Sequence, residues 1–345
     1  MKHTIRVTAL LVLFFFLAQI IGLFVVNQYI DHKKTAQTQT IVYKDLPLGI
    51  ERPEVKNQST SFIWITIAII IGTVFVLLLA RFNKPVIWKV WFFFTVWITL
   101  SIAFASFINN DISYVKLLNE RFIFLVGSAW FLSWFSFIDN FVAMMIALII
   151  SLFKLYRSNI IVQNLSELFI YGGLAAIFVP ILNLFAAFML LIVISVYDFI
   201  AVFKTKHMIE LATFQSKSNI FAGLFIPYDR HAGKTMGKLK IKKEIKSSQK
   251  QMPAKIPDTQ QRKKSVAVLG GGDIGFTLIF AGVVMKILMI QTTVLAGFLK
   301  TLIIPVCTAL ALLFLLLKGK QNKFYPAMPV LSLGCFVGYF IIWII

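Results

Sequence analysis

Hydrophobic positions in this chain form long runs that are separated by short polar segments. The runs predict membrane-spanning helices at about 7–30, 62–81, 86–108, 161–180, 184–204, 265–287, 293–317 and 327–345. A helix needs about 20 apolar residues to cross the hydrocarbon core of a bilayer, and these runs have that length. Since only helices and closed barrels satisfy their backbone groups in lipid, the pattern predicts an all-α polytopic membrane protein.

The first run, Val7 to Val26, looks at first like a secretory signal peptide. Its apolar core is about twice as long as a signal core, and no small-x-small cleavage site follows it. We therefore interpret it as a retained first transmembrane helix.

Composition supports the membrane class. The chain is 59% hydrophobic and 14% charged, with a mean hydropathy of +0.85, which is far more apolar than a soluble domain. Cys307 and Cys335 lie in apolar runs without a CxxC spacing, so we expect buried apolar side chains and neither a disulfide framework nor a zinc site.

The net charge of +20 is concentrated between the hydrophobic runs. Residues 204–264 hold 15 Lys/Arg and 4 Asp/Glu, a net +11 of that total. Positive-inside sorting and anionic lipid account for such clusters, so we expect no nucleic-acid partner. The loop 205–264 is predicted to be cytoplasmic, and its Lys-, Gln- and Ser-rich part from Gly233 to Lys264 is predicted to be partly disordered.

The segment 121–157 is ambiguous because it is long enough for two short passes hinged at Asp139-Asn140. Two passes would place the basic clusters Arg81/Lys84 and Lys154/Arg157 on opposite faces. One crossing near 139–157 places all basic segments on one side, with nine spans, a cytoplasmic N-terminus and an external C-terminus. Residues 121–137 would then form a helix at the outer interface or a helical extension.

Two aspartates lie inside the apolar runs, and they are the strongest functional signal. Asp198 is six residues before Lys204, about 9 Å along a helix, and Asp273 is nine residues after Lys264, about 13 Å on the same rise. Both are therefore predicted in the cytoplasmic half, on consecutive antiparallel helices. A carboxylate in hydrocarbon costs a few kcal/mol and usually marks a functional site. Two carboxylates that share one proton are the working groups of an aspartic protease.

Three glycines, Gly270, Gly271 and Gly272, directly precede Asp273. Small residues allow close packing of transmembrane helices, and the absence of side chains also leaves room for a substrate backbone and water. The position beside the acid favours the second interpretation, and the two interpretations are compatible with each other.

Two further motifs have alternative interpretations. Tyr197 precedes Asp198 and is either an ordinary packing residue or a hydrogen-bonding group near the acid pair. Pro326, Ala327 and Met328, followed by Pro329, open the last run. Prolines here suit an ordinary helix N-terminus, which periodicity alone favours, but they would also hold the backbone extended.

Taken in order, Tyr197-Asp198, Gly270-x-Gly272-Asp273 and Pro326-Ala327-Met328 resemble the YD, GxGD and PAL motifs of presenilin-type intramembrane aspartyl proteases. The stretch from Ser195 to Ala212 is particularly similar to the archaeal homologues. The resemblance covers roughly residues 160–345, and residues 1–160 match mainly as a hydropathy pattern.

The resemblance implies a nine-helix fold and an endopeptidase that hydrolyses peptide bonds within transmembrane segments. Asp198 and Asp273 would be the catalytic pair, and Pro326-Ala327-Met328 would line the site and help to bind substrate. Its partners would be transmembrane proteins or peptides within the lipid bilayer, and no cofactor or metal is expected. On this basis residues 1–160 form an N-terminal region of about four spans, and residues 161–345 form the catalytic region of about five.

The chain departs from the family pattern in two places. Met328 replaces the leucine of the PAL motif, a nearly volume-conserving change. Residues 109–137 are longer than the pattern. Signal peptide peptidases share YD and GxGD but have the inverted topology, and prepilin peptidases lack the YD span and the closing proline motif. The basic loop 205–264 favours the presenilin orientation.

Two other classes of function are compatible with the residues. A channel or transporter would use Asp198 and Asp273 to bind ions or relay protons, and lysines within the runs could line its path: Lys89, Lys286 and Lys300. Snorkelling of those lysines to the nearest interface is the preferred interpretation, and no inverted repeat is apparent.

A catalytically silent scaffold would use the loop 205–264 for docking. Glu167 and His207 are interpreted as interfacial rather than catalytic.

Overall fold

The computed structural model describes residues 5–38, 40–52, 55, 57–82, 84–108, 141–157, 159–205, 222–229, 264–319 and 325–345. Within these ranges seven helical stretches are long and apolar enough to cross a bilayer, one of which, Val294–Lys318, is divided at Leu302, and two shorter apolar helices accompany them. The prediction of an all-α polytopic membrane protein is confirmed. The count of nine spans stays a prediction, and residues 121–137 and most of the loop 205–264 lie outside the described ranges.

The helices and strands follow the chain in this order: α1 Ile5–Gln28, α2 His32–Thr38, α3 Ser61–Arg81, α4 Pro85–Phe107, α5 Phe141–Tyr156, α6 Ile160–Phe178, α7 Leu184–Ile200, β1 Gly223–Asp229, β2 Lys264–Gly270, α8 Gly271–Gln291, α9 Val294–Thr301, α10 Ile303–Lys318 and α11 Met328–Ile344. Short 3₁₀ turns occur at Pro47–Gly49, Gln58–Thr60 and Val179–Ile181, and α7 continues as a π-helical turn over Ala201–Thr205.

Polar residues at the boundaries explain why several helices begin where they do. The Asn159 side chain accepts a hydrogen bond from the Ile161 N–H at the start of α6, and Asn183 accepts one from the Ala186 N–H at the start of α7. Pro85 occupies the first turn of α4, where its missing N–H costs nothing. Because of these residues, α4, α6 and α7 begin close to the predicted bounds.

The predicted start of the seventh span at residue 265 is wrong. Residues 264–270 form strand β2, which pairs antiparallel with β1 from Asp229↔Lys264 to Gly223↔Gly270. Ala267 and Leu269 are buried whereas Val268 is exposed, which is the two-residue alternation of a strand. Hydropathy merged this apolar strand with the helix that follows it. Asp273 therefore lies in the first turn of α8, and the helical rise from Lys264 does not measure its depth.

The predicted span 293–317 consists of two helices, α9 and α10, which meet at Leu302. Pro305 lies at the third position of α10 and has no N–H to donate to the Thr301 carbonyl. The missing bond explains why the helix restarts at this point.

The helices differ strongly in their burial. Helix α8 lies at the centre of the described bundle, and 72% of the most apolar stretch of this helix is buried. Helix α3 lies at the edge and contributes only Ser61 and Leu79 to the buried residues. It packs on α7 and α4. The central helix is thus the one that carries Asp273.

An aromatic cluster joins the three helices that carry the motifs. Phe188 of α7 meets Phe280 of α8 edge to face, with ring centroids 5.0 Å apart, and stacks on Phe336 of α11 at 5.0 Å. Measured along each helix by its rise per residue, Asp198 lies about 15 Å from the ring on α7, Asp273 about 10 Å from the ring on α8, and Met328 about 12 Å from the ring on α11. The three motifs therefore lie at similar distances on the same side of the cluster.

Candidate active site

Asp198 lies in the last turn of α7, facing the start of α11. The Met328 backbone N–H donates a hydrogen bond to Asp198 Oδ2 at 3.1 Å. One turn away Ser195 and Ser332 share a hydrogen bond of 2.8 Å between the same two helices. Together these bonds place the Asp198 carboxylate against the N-terminus of α11.

The structure brings the PAL-like motif to this acid. Pro326 and Ala327 are half-buried and precede α11, while Met328 is its first residue and is buried. The helix N-terminus that periodicity favoured is present, and its first free N–H is directed at Asp198. Both interpretations of the motif are therefore compatible with the structure.

Asp273 lies in the first turn of α8, two residues after the strand–helix junction. Helices α7, α8 and α11 pack pairwise on one another. Asp198 lies near the end of α7 and Asp273 near the start of α8, and these two helices pack on each other. The convergence of the two carboxyl groups on one site stays a prediction.

The three glycines have different surroundings. A Cβ atom on Gly270 would lie 3.3 Å from Asp273 Oδ2, and one on Gly271 would lie 2.9 Å from the Tyr171 hydroxyl. A Cβ atom on Gly272 would meet only Phe276, at 3.7 Å or more, and Gly272 is exposed. Gly271 thus serves close packing, whereas Gly272 leaves open space beside the acid.

Tyr197 faces helix α3. Its hydroxyl donates a hydrogen bond to Thr73 Oγ1 at 3.2 Å. This contact joins the peripheral helix to the helix of Asp198, in agreement with a packing role for Tyr197.

Sequence reasoning missed two residues beside the glycines, Tyr171 and Glu167 of α6. Tyr171 is buried against Gly271, and its hydroxyl donates to Glu167 Oε2 at 2.5 Å. The interpretation of Glu167 as an interfacial side chain is wrong, because it is buried inside the bundle and paired with Lys154. The sequence did contain a signal for Glu167, because an acidic residue within an apolar run usually has a functional role or a buried partner.

Other candidate residues lie away from the acids. Lys286 does not snorkel to lipid: it is buried and donates to the carbonyls of Val179, at 2.9 Å, and Leu182, at 2.5 Å. Lys89 is exposed and Lys300 is half-buried. Cys307 and Cys335 are free thiols, and His207 lies outside the described residues.

Comparison with known proteins gives a family. Residues 21–345 match the family described as signal-peptide peptidase, presenilin aspartyl protease. No curated protein matches the sequence significantly.

Solved structures give the same fold. One presenilin family intramembrane aspartate protease, in a C222 crystal, is 15% identical with a TM-score of 0.52, and the match covers 96% of this chain and 94% of that one. A second, in a P2 crystal, is 16% identical with a TM-score of 0.53, covering 97% and 96%. The family match extends over nearly the whole sequence, and the fold agrees with it. The chain is therefore a multi-pass membrane protein that belongs to the signal-peptide peptidase and presenilin aspartyl protease family of intramembrane proteases.

Proposed function

We propose that Asp198 and Asp273 are the catalytic pair with which this protein hydrolyses peptide bonds inside transmembrane segments. The observation that carries the proposal is the packing of α7, which carries Asp198 in its last turn, on α8, which carries Asp273 in its first turn, with Asp198 bound to the start of α11. Two such groups are costly to ionise together, so they hold one proton between them and titrate as a unit.

The shared proton supplies both halves of acid–base catalysis. The ionised carboxylate takes a proton from a water molecule as its oxygen attacks the scissile carbonyl carbon, and the protonated carboxyl donates to the carbonyl oxygen. Collapse of the tetrahedral intermediate breaks the C–N bond. The leaving amine takes up a proton from one carboxyl group, and a hydroxyl of the intermediate returns a proton to the other, which restores the single proton of the pair. The Met328 N–H holds one oxygen of Asp198 in place during these transfers.

A helical substrate hides its carbonyl groups in its own hydrogen bonds and must unwind before cleavage. The freed backbone groups then need partners within the membrane. The two-stranded sheet next to Asp273 supports docking of an unwound substrate as a further strand.

The outer edge of β1 is already bound by side chains of α6. Asn164 Nδ2 donates to the Phe225 carbonyl at 2.8 Å, and Asn164 Oδ1 accepts from the Phe225 N–H at 2.8 Å. Gln163 Nε2 donates to the Gly223 carbonyl at 3.2 Å. These bonds leave the opposite edge, that of β2, as the available one.

The register identifies the groups on that edge. Phe225 is opposite Val268, and because its N–H and C=O point away from β2, the pair is not hydrogen-bonded. The N–H and C=O of Val268 then point outward as well. Among the described strands none pairs with this edge, and the Val268 side chain is 44% exposed. An added strand here would run directly past the glycines to Asp273.

Fragment mapping tests the proposal. Purified protein in detergent is incubated with a labelled single-span peptide, and products are identified by mass spectrometry. We expect cuts within the span, blocked by an aspartyl protease inhibitor that mimics the tetrahedral state. Asp273→Asn should abolish them, whereas the control Asp31→Asn, an acid outside the spans that pairs with Lys34, should not. Ion flux in liposomes without fragments would instead support the channel or transporter.

A further inference from the structure

A buried ion pair joins α5 and α6 away from the two aspartates. Lys154 Nζ lies 2.5 Å from Glu167 Oε1, and both side chains are only 2% exposed. Gln163 Nε2 also donates to Oε1, at 3.1 Å, and the Tyr171 hydroxyl donates to Oε2. Lys154 donates in addition to Ser166 Oγ at 3.1 Å. Both carboxylate oxygens of Glu167 are therefore bound, which is what a buried charge requires.

Two of the side chains that bind Glu167, those of Tyr171 and Gln163, contact opposite sides of the junction between β2 and α8. On one side Tyr171 lies beneath Gly271, where an added Cβ would be 2.9 Å from its hydroxyl and 3.1 Å from Cε1. On the other side Gln163 binds the carbonyl of Gly223, the residue paired with Gly270. The Gly271 N–H also donates to the Ala222 carbonyl at 3.3 Å. Glu167 is thus the common acceptor for the two side chains that contact the junction.

A buried ion pair is weak evidence for stability, since apolar residues of similar volume often stabilise a protein as well or better. Its position is more informative. Asp273 follows Gly271 by two residues in the first turn of α8, so a shift of the junction moves its carboxyl group. A misplacement of about 1 Å can cost about 10²-fold in rate.

We propose that Tyr171, oriented by Glu167, is a positioning residue that sets where Asp273 lies relative to Asp198. The proposal rests on the proposed function and adds to it residues that lie outside the three motifs. Tyr171 acts through its contact with Gly271, and the Lys154–Glu167 pair acts through the Tyr171 hydroxyl.

Steady-state cleavage by Tyr171→Phe tests this role, because the change removes the hydroxyl and keeps the ring against Gly271. We expect kcat to fall at least tenfold, with KM within twofold and a loss of Tm comparable to that of the control variant, because each change removes one buried hydroxyl bond. The matched control is Tyr29→Phe, which removes a buried hydroxyl bond of 2.7 Å to the Ile102 carbonyl between other elements. It should leave kcat at the wild-type value.

A second variant removes the acceptor without leaving a buried charge. Lys154→Met combined with Glu167→Leu should lower kcat as Tyr171→Phe does, and adding Tyr171→Phe to it should cause no further loss. A wild-type kcat in Tyr171→Phe would overturn the proposal, as would a fall in kcat matched by Tyr29→Phe or accompanied by a much larger loss of Tm than Tyr29→Phe shows. Those results would leave the proposed function intact if Asp273→Asn is inactive, whereas cleavage by Asp273→Asn would reject the proposed function itself.

Discussion

At the scale of single residues, two adjacent glycines have opposite surroundings. Gly271 faces the buried Tyr171 ring, and Gly272 faces open space beside Asp273. The residue types are identical, so sequence alone treats the two positions alike. The difference comes from Tyr171, which lies about 100 residues earlier in the chain and has no motif to mark it.

Alanine substitutions at the two positions should therefore differ in stability. Gly271→Ala forces a methyl group against Tyr171 and should destabilise the protein by about 1–3 kcal/mol. Gly272→Ala meets only an ordinary contact with Phe276 and should be neutral or stabilising by up to ~1 kcal/mol, since alanine favours a helix. Thermal unfolding in detergent micelles compares them. Equal losses of Tm would contradict the packing described for Gly271.

Lys286 is a second residue whose role depends on its surroundings. Its ammonium group binds two carbonyls in the turn between α6 and α7. Lys286→Met should leave these carbonyls without that donor and lower the free energy of unfolding by about 1–3 kcal/mol. The folded fraction should retain its cleavage rate. Loss of cleavage at unchanged Tm would instead support a functional path through Lys286.

At the scale of elements, strand β2 leads directly into helix α8, and Asp273 lies in the first turn after their junction. Hydropathy predicted the spans well because each apolar run is bounded by caps such as Asn183 or Pro85. It could not separate β2 from α8, because Val266 to Leu269 is as apolar as the helix and its partner strand lies about 40 residues earlier. Strand pairing is a long-range contact that local patterns do not contain.

Val268→Pro tests the edge of β2 on which substrate docking is proposed. Proline removes the outward N–H without removing a bond to β1, and proline is tolerated on edge strands. We expect cleavage to fall about tenfold or more while the protein keeps its Tm. Val268→Ala, which retains the N–H, is the matched control and should cleave nearly normally. Equal activity of the two variants would show that substrate does not pair at this edge.

At the scale of the whole molecule, α8 is surrounded by the other helices while α3 lies at the edge of the described bundle. Phe188, Phe280 and Phe336 hold α7, α8 and α11 together, and these are the helices that carry the three motifs. The pairing of Asp198 with Asp273 was predicted from the placement of basic residues and from helix rise, and it stays a prediction. The Lys154–Glu167–Tyr171 contacts were not predictable, since they depend on how α5 and α6 pack.

The charge distribution predicts the orientation of the protein in the membrane. With a net +11, residues 204–264 should face the cytoplasm, and the start of α3 should face the opposite side. In a variant without Cys307 and Cys335, a cysteine at Ser247 should react with an impermeant maleimide only in inverted vesicles. A cysteine at Gln58 should react only in right-side-out vesicles. The reverse pattern would indicate the inverted topology.

The central claim is that Asp198 and Asp273 act as one unit, and a double-mutant cycle on cleavage rate tests it most directly. Asp198→Asn and Asp273→Asn should each lower the rate by about 10²- to 10⁴-fold or more. Groups that act together are not additive, so the double variant should be no slower than either single variant. A single variant that cleaves at the wild-type rate, or a double variant whose loss is the product of the two single losses, would contradict the account.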